Sequence, residues 1–141
     1  MNIYIDTEFN GFNGELISMA LISGAGDEFY EVLACDDPTD WVHKNVMPFL
    51  NKPSVDQQIF RHKLQAYLIC YDQLNIIADW PEDIKHFCNA LILGPGQMMG
   101  IPPITFELKR LKTDSKVPHN ALADARALME ADLGSKYEQG L

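Results

Sequence analysis

Asp6 and Glu8 near the start of the chain, Asp83 in its middle and Asp124 near its end are joined by His119, five positions before the last acid. Carboxylates drawn from three separated segments can hold two divalent cations, and a neutral histidine beside them can take the proton of a water. The set therefore points to phosphodiester hydrolysis, in which a pair of ions stabilises the attacking and leaving oxygens.

Each member has a bland explanation to overcome. Asp6 and Glu8 stand two apart on or just beyond an apolar strand, so their side chains leave the same face. On a solvated strand end that would mean nothing, but on a strand flanked on both sides a carboxylate pair is costly without a positive partner. In the middle segment, Asp79 reads as an N-cap with Glu82 three residues on, a capping box. Asp83 could merely complement the helix dipole from the first turn. It also shares a helical stripe with Phe87, Ala90 and Leu91, which turns it inward and favours it over Asp79. On a continuous helix His119 would lie about 140° around from Asp124. The two converge only if His119 precedes the helix in a loop, and Pro118 makes room for that. His43, His62 and His86 read as surface residues.

The elements that must position these residues are legible from period and punctuation. NIYIDT (2–7) alternates as a strand, ending at Asp6. The Asn13-Gly14 turn leads to ELISMALIS (15–23), and Gly24–Asp27 turns into EFYEVLA (28–34), giving a three-strand meander. Asp40 caps a short helix that ends by Pro48. Ser54 with Gln57 opens a helix over about 54–70, with Phe60, Leu64, Tyr67 and Leu68 on one stripe. LNIIAD (74–79) is a strand feeding a helix with Pro81 in its first turn. Residues 93–103 read as loop, ITFEL (104–108) as a fifth strand, and the alanine-rich stretch after Asn120 as a helix closing at Gly134. This is an α/β arrangement around a mixed five-stranded sheet.

Composition sets limits. The chain of 141 residues reads as one domain, 1–141, with 47% hydrophobic and 22% charged residues, ordinary for a globular protein. A net charge of −9 excludes a broad basic grip on nucleic acid. Local contact is left to Lys109, Arg110, Lys112 and Lys116, with Arg126 beyond, which read equally as a solvated loop or a substrate-facing one. Three cysteines without a C-x-x-C pair suit a reducing compartment. With no signal-like segment after Met1 and no long apolar run, a cytoplasmic protein without membrane association is expected.

IYIDTEF (3–9), ADWPEDIKHF (78–87) and HNALADA (119–125) resemble, in order, the three motifs of the DEDDh exonucleases, the RNase T and proofreading-exonuclease group. Within it the chain is most similar to the short bacterial and phage exoribonucleases of mycobacterial type. Relatives often carry an aromatic immediately before the middle aspartate, and here Glu82 stands in that place. The resemblance implies an RNase H-like fold and a 3′-5′ exoribonuclease releasing 5′-mononucleotides with two Mg²⁺ or Mn²⁺ ions. Asp6 would bridge both ions, Glu8 and Asp124 would complete one site, Asp83 would act directly or through water, and His119 would be the base. Phe9 and Phe12, after Glu8, would pack on the terminal nucleotide, although Phe9 reads equally as core, and Lys116 would approach the substrate. RNA 3′ ends are the implied partner, with single-stranded DNA or short oligonucleotides as the alternative, and relatives suggest a homodimer. A module that kept the fold and lost catalysis is the alternative of another class, and the unreplaced acid set weighs against it.

Overall fold

The structure is a computed structural model and describes residues 1–139. Three strands, β1 (Asn2–Phe9), β2 (Leu16–Ser23) and β3 (Glu28–Val32), form the antiparallel meander. A short helix α1 (Asp40–Asn45) and a 3₁₀ turn (Met47–Phe49) lead to α2 (Gln57–Leu68), then β4 (Leu74–Ala78) and α3 (Pro81–Leu91). A small hairpin, β5 (Ile92–Gly94) and β6 (Gln97–Met98), precedes β7 (Ile104–Leu108), and α4 (Ala121–Gln139) follows. The main sheet has the order β3-β2-β1-β4-β7, with β4 parallel to β1 and β7 parallel to β4. This is the expected α/β architecture, and it is consistent with an RNase H-like fold.

Strand alternation divides the core between the two faces. Ile3 and Ile5 of β1 join Met19, Leu21, Phe60, Leu64, Leu68, Ile76 and Phe87, so α2 and α3 cover one face. Phe60, Leu64 and Leu68 are fully buried, each contributing about 1.5–3 kcal/mol. Tyr4 points the other way, to Ala20, Ile22 and Ile77, under Ala121, Ala125 and Leu128 of α4. Alanines let that helix lie close. A buried network fastens it: the Tyr4 hydroxyl donates to Asp132 Oδ2 at 2.6 Å, and Lys109 Nζ reaches Asp132 Oδ1 at 3.0 Å.

Several local expectations are corrected. Asp56, not Ser54, caps α2, accepting from the Ile59 amide at 2.8 Å, so the helix starts three residues later than expected. Thr39 rather than Asp40 caps α1. The Asp79–Glu82 capping box does not form. Trp80 occupies the N-cap position of α3, and Glu82 accepts from the Trp80 indole at 3.1 Å. With Pro81 at the first helical position one orphan amide is already missing, which weakens the need for a cap. The stretch expected as loop carries the β5–β6 hairpin, turning at Gly96 with φ +66. Helix α4 passes through Gly134, because glycine costs a helix about 1 kcal/mol without obliging it to stop. Among the described residues, no helix is long and apolar enough to cross a membrane.

Candidate active site

The site forms where β1 outlasts its neighbour. Parallel pairing with β4 ends at Tyr4 and Ile77, and β1 runs on to Phe9. Its overhanging backbone therefore needs other partners. The first turn of α3 supplies one: Asp83 Oδ1 accepts from the Thr7 amide at 3.2 Å and from the Thr7 hydroxyl at 2.6 Å. On the opposite face Asp6 and Glu8 emerge together. Their cross-strand neighbours, Ala20 and Ser18, are small and leave space above the sheet.

Asp124, in the first turn of α4, enters that space. Its Oδ2 accepts from the His119 amide at 3.2 Å, while Asn120 caps the helix through the Ala123 amide at 3.0 Å and donates to the Phe49 carbonyl at 2.7 Å. His119 precedes the helix, as convergence required, with φ +67. That left-handed backbone is uncommon for a residue with a Cβ. The imidazole lies edge-on to Trp41, ring centroids 5.0 Å apart.

Asp6, Glu8, Phe9, Asp83, His119 and Asp124 all line one cavity of about 580 Å³. Carboxylate oxygens of Asp6, Glu8 and Asp124 lie within 4.8 Å of one another, and so do those of Asp6, Asp79 and Asp83. Asp79 and Asp83 thus fall in one group with Asp6 rather than excluding one another. Phe12 is 89% exposed and stands outside the lining, and Lys116 lines a separate cavity with Arg126. The structure does not bring either to the acids. Lys109 is committed to Asp132, and Arg126 to Glu28. Arg110 lies over the Trp80 ring at 5.1 Å and donates to the Asp79 carbonyl.

Trp41 and Trp80 belong to the lining and escaped the sequence reading. They come from distant segments and are 55% and 47% exposed, which leaves ring faces for a ligand. His86, read as a surface residue, is buried, with its ring 4.8 Å from Phe9. Its position beside Phe87 on the inward stripe of α3 was the available signal.

Electrostatics show what the acids lack. Burial raises the Asp6 carboxyl well above the usual range, and Asp83, Glu8, Asp124 and Asp79 add to it. Burial, with Asp124 and Asp83, pushes Glu8 to about 8. Burial takes Asp83 to about 7 against the opposing hydrogen bonds of Thr7. Asp79 and Asp124 are raised by burial too, offset in part by Arg110 for Asp79 and the His119 amide for Asp124. Among the described residues no lysine or arginine pairs with Asp6, Glu8, Asp83 or Asp124. Asp83 Oδ2 is buried without a hydrogen-bond partner. Hard-cation chemistry fits such a set of oxygen donors.

A mixed sheet carrying clustered carboxylates and a loop histidine defines a metal-site candidate on a nuclease-like scaffold. The chain is 31% identical to proteins named 3′-5′ exoribonuclease from two strains of Mycobacterium tuberculosis, over 89% of its own length and 88% of theirs. No family model matches. At that identity and coverage the chain belongs to the family of these 3′-5′ exoribonucleases.

Proposed function

We propose that this chain is a 3′-5′ exoribonuclease of the DEDDh type, releasing 5′-mononucleotides from RNA 3′ ends with two divalent cations. The observation that carries the reading is the gathering of Asp6 with Glu8 and Asp124, and of Asp6 with Asp79 and Asp83, where Asp83 Oδ2 is buried without a hydrogen-bond partner. Asp6 belongs to both carboxylate groups, so Asp6, Glu8 and Asp124 would hold one ion and Asp6, Asp79 and Asp83 the other. When bound, Mg²⁺ or Mn²⁺ would neutralise the scissile phosphate and acidify the attacking water.

The rest falls to the chain's own residues. His119 takes the water's proton through its imidazole, which the left-handed backbone and the Asp124–amide bond hold at the cavity. Thr7 fixes Asp83 with two hydrogen bonds to Oδ1, leaving Oδ2 without a hydrogen-bond partner. Trp41, Trp80 and Phe9 offer stacking surfaces for the terminal nucleotide, tolerant of base identity.

Two labelled substrates test this directly. RNA and DNA of one sequence, labelled at either end, are incubated with and without Mg²⁺ and resolved by length. Stepwise shortening of RNA from the 3′ end, dependent on Mg²⁺ and lost in Asp124→Asn, is the expected result. Full cleavage by that variant, or in excess chelator, rules the reading out. Equal rates on DNA would remove the RNA preference, because a 2′-hydroxyl contact should separate the sugars.

A further inference from the structure

A second cavity, of about 470 Å³, has Asn13, Glu15, Arg61, Lys85, His86 and Asn89 in its lining. Its chemistry differs from that of the acid cluster. Arg61 from α2 and Lys85 from α3 bring two full positive charges, and among the described residues neither makes an ion pair. In a chain of net charge −9 two unpaired cations in one cavity stand out, with Glu15 the acid that shares their lining.

Two polar atoms here lack protein partners. Arg61 Nε is buried and bonds to nothing, while another guanidinium nitrogen, Nη2, donates to the Ile92 carbonyl at 3.2 Å and fixes the group. His86 is 6% exposed, and its Nε2 is likewise buried and unpartnered. Burial and Lys85 lower its pKa, which favours the neutral ring, with one N–H and one acceptor nitrogen. A buried polar atom without a partner is expensive, about 1–3 kcal/mol, and two residues of this lining, Arg61 and His86, carry one each, which marks a place for a polar ligand. The acid on the wall is already occupied: Glu15 accepts from the Asn10 amide at 2.9 Å and from the Cys35 thiol at 3.3 Å.

The cavity is joined to the acid cluster by one pair of rings. Phe9 lines the first cavity, and its ring meets His86 of the second at a centroid distance of 4.8 Å. We propose that the second cavity is a phosphate-binding subsite, taking a phosphodiester of the RNA chain on the 5′ side of the bond being cut. Arg61 and Lys85 supply charge and His86 supplies a directed donor, with the Asn89 amide beside them. The subsite rests on the exoribonuclease reading for its ligand, but not for its donors.

The test compares the wild type with Arg61→Gln/Lys85→Gln, both glutamines being good helix formers on accessible helix faces. KM is measured with Mg²⁺ on oligoadenylates from a dinucleotide to an octanucleotide, at about 50 and 200 mM salt. For the wild type, KM falls once the chain is long enough to place a phosphate in the cavity. In the variant that step disappears, and the salt dependence of log KM on the octamer loses about 0.7, the share of one neutralised phosphate on a single strand. A length step that persists unchanged in the variant overturns the proposal. So does a KM raised equally at every length, which would reflect a general field. Separately, inorganic phosphate is titrated into ¹⁵N-labelled protein while the His86 ring nitrogens are followed. Saturable shifts at His86 that vanish in the variant are expected, and unmoved His86 signals refute the subsite. Failure of the wild type to cut any RNA would refute the exoribonuclease reading instead, leaving the phosphate titration to report on the cavity alone.

Discussion

Replacing Asp83 by asparagine should make the metal-free protein more stable while disabling it. Asp83 is buried, and its carboxyl is moved from an ordinary 3.8 to about 7. It binds its proton more tightly folded than unfolded. Its contribution to folding is therefore fully present below pH 3.8 and is lost as pH rises through about 7. The shift of about three units corresponds to a cost on the order of 4 kcal/mol at pH 8, falling to about 2 kcal/mol at pH 5, where the folded carboxyl keeps its proton. Asparagine does not pay it. Its Oδ1 can still accept from the Thr7 amide and hydroxyl, and its Nδ2 takes the place of the unpartnered oxygen in a side chain grouped with the carboxylates of Asp6 and Asp79. Denaturant unfolding in chelator at both pH values measures the difference. The expected result is a variant more stable by several kcal/mol at pH 8, by about half as much at pH 5, and with Mg²⁺-dependent cleavage reduced at least about 100-fold. A variant less stable than wild type at pH 8, or an advantage that does not shrink at pH 5, would show that Asp83 is not a buried charge awaiting a cation.

His119→Asn tests the base without disturbing its support, since asparagine tolerates a positive φ; kcat should fall about 10²- to 10⁴-fold with the melting temperature nearly unchanged. Near wild-type turnover would remove His119 from the mechanism. Trp80→Ala should weaken binding of oligoadenylate and oligouridylate alike, by about 1–3 kcal/mol in KM, and a loss confined to one base would mean readout rather than stacking. Tyr4→Phe removes the 2.6 Å bond to Asp132 and should cost about 1.5–3 kcal/mol in denaturant unfolding while leaving cleavage in place. No loss would mean that this bond does not help to hold α4.

The sheet was readable because its strands carry strong, local signals. The alternation in β1, the Asn13-Gly14 turn and the apolar run of β2 allow few other structures. Asp6, Glu8, Asp124 and His119 were likewise visible, since each sits in a short segment whose geometry follows from its own element. Caps were harder. Ser54 and Asp79 both matched a capping pattern, but Asp56 and Pro81 met the same need from neighbouring positions, and local rules do not rank such competitors. Thr7 is a polar residue on the inward face of a buried strand, a signal that could have pointed to its partner in α3. Trp41 and Trp80 lie almost forty residues apart, and only the folded chain places both on one cavity. His86 went unread because the second cavity is assembled from α2, α3 and the turn after β1, none of which advertises it.

The crowded acids have a further consequence for the chemistry of loading. With Glu8 near 8 and Asp83 near 7, these carboxyls hold protons at neutral pH. A divalent ion entering the site would displace them, so occupancy becomes an exchange of hydrogen ions for metal rather than simple addition. The heat of loading would then vary with the ionisation enthalpy of the buffer. Acidification by a single unit would compete with the metal directly, making local pH and cation supply two inputs to one site.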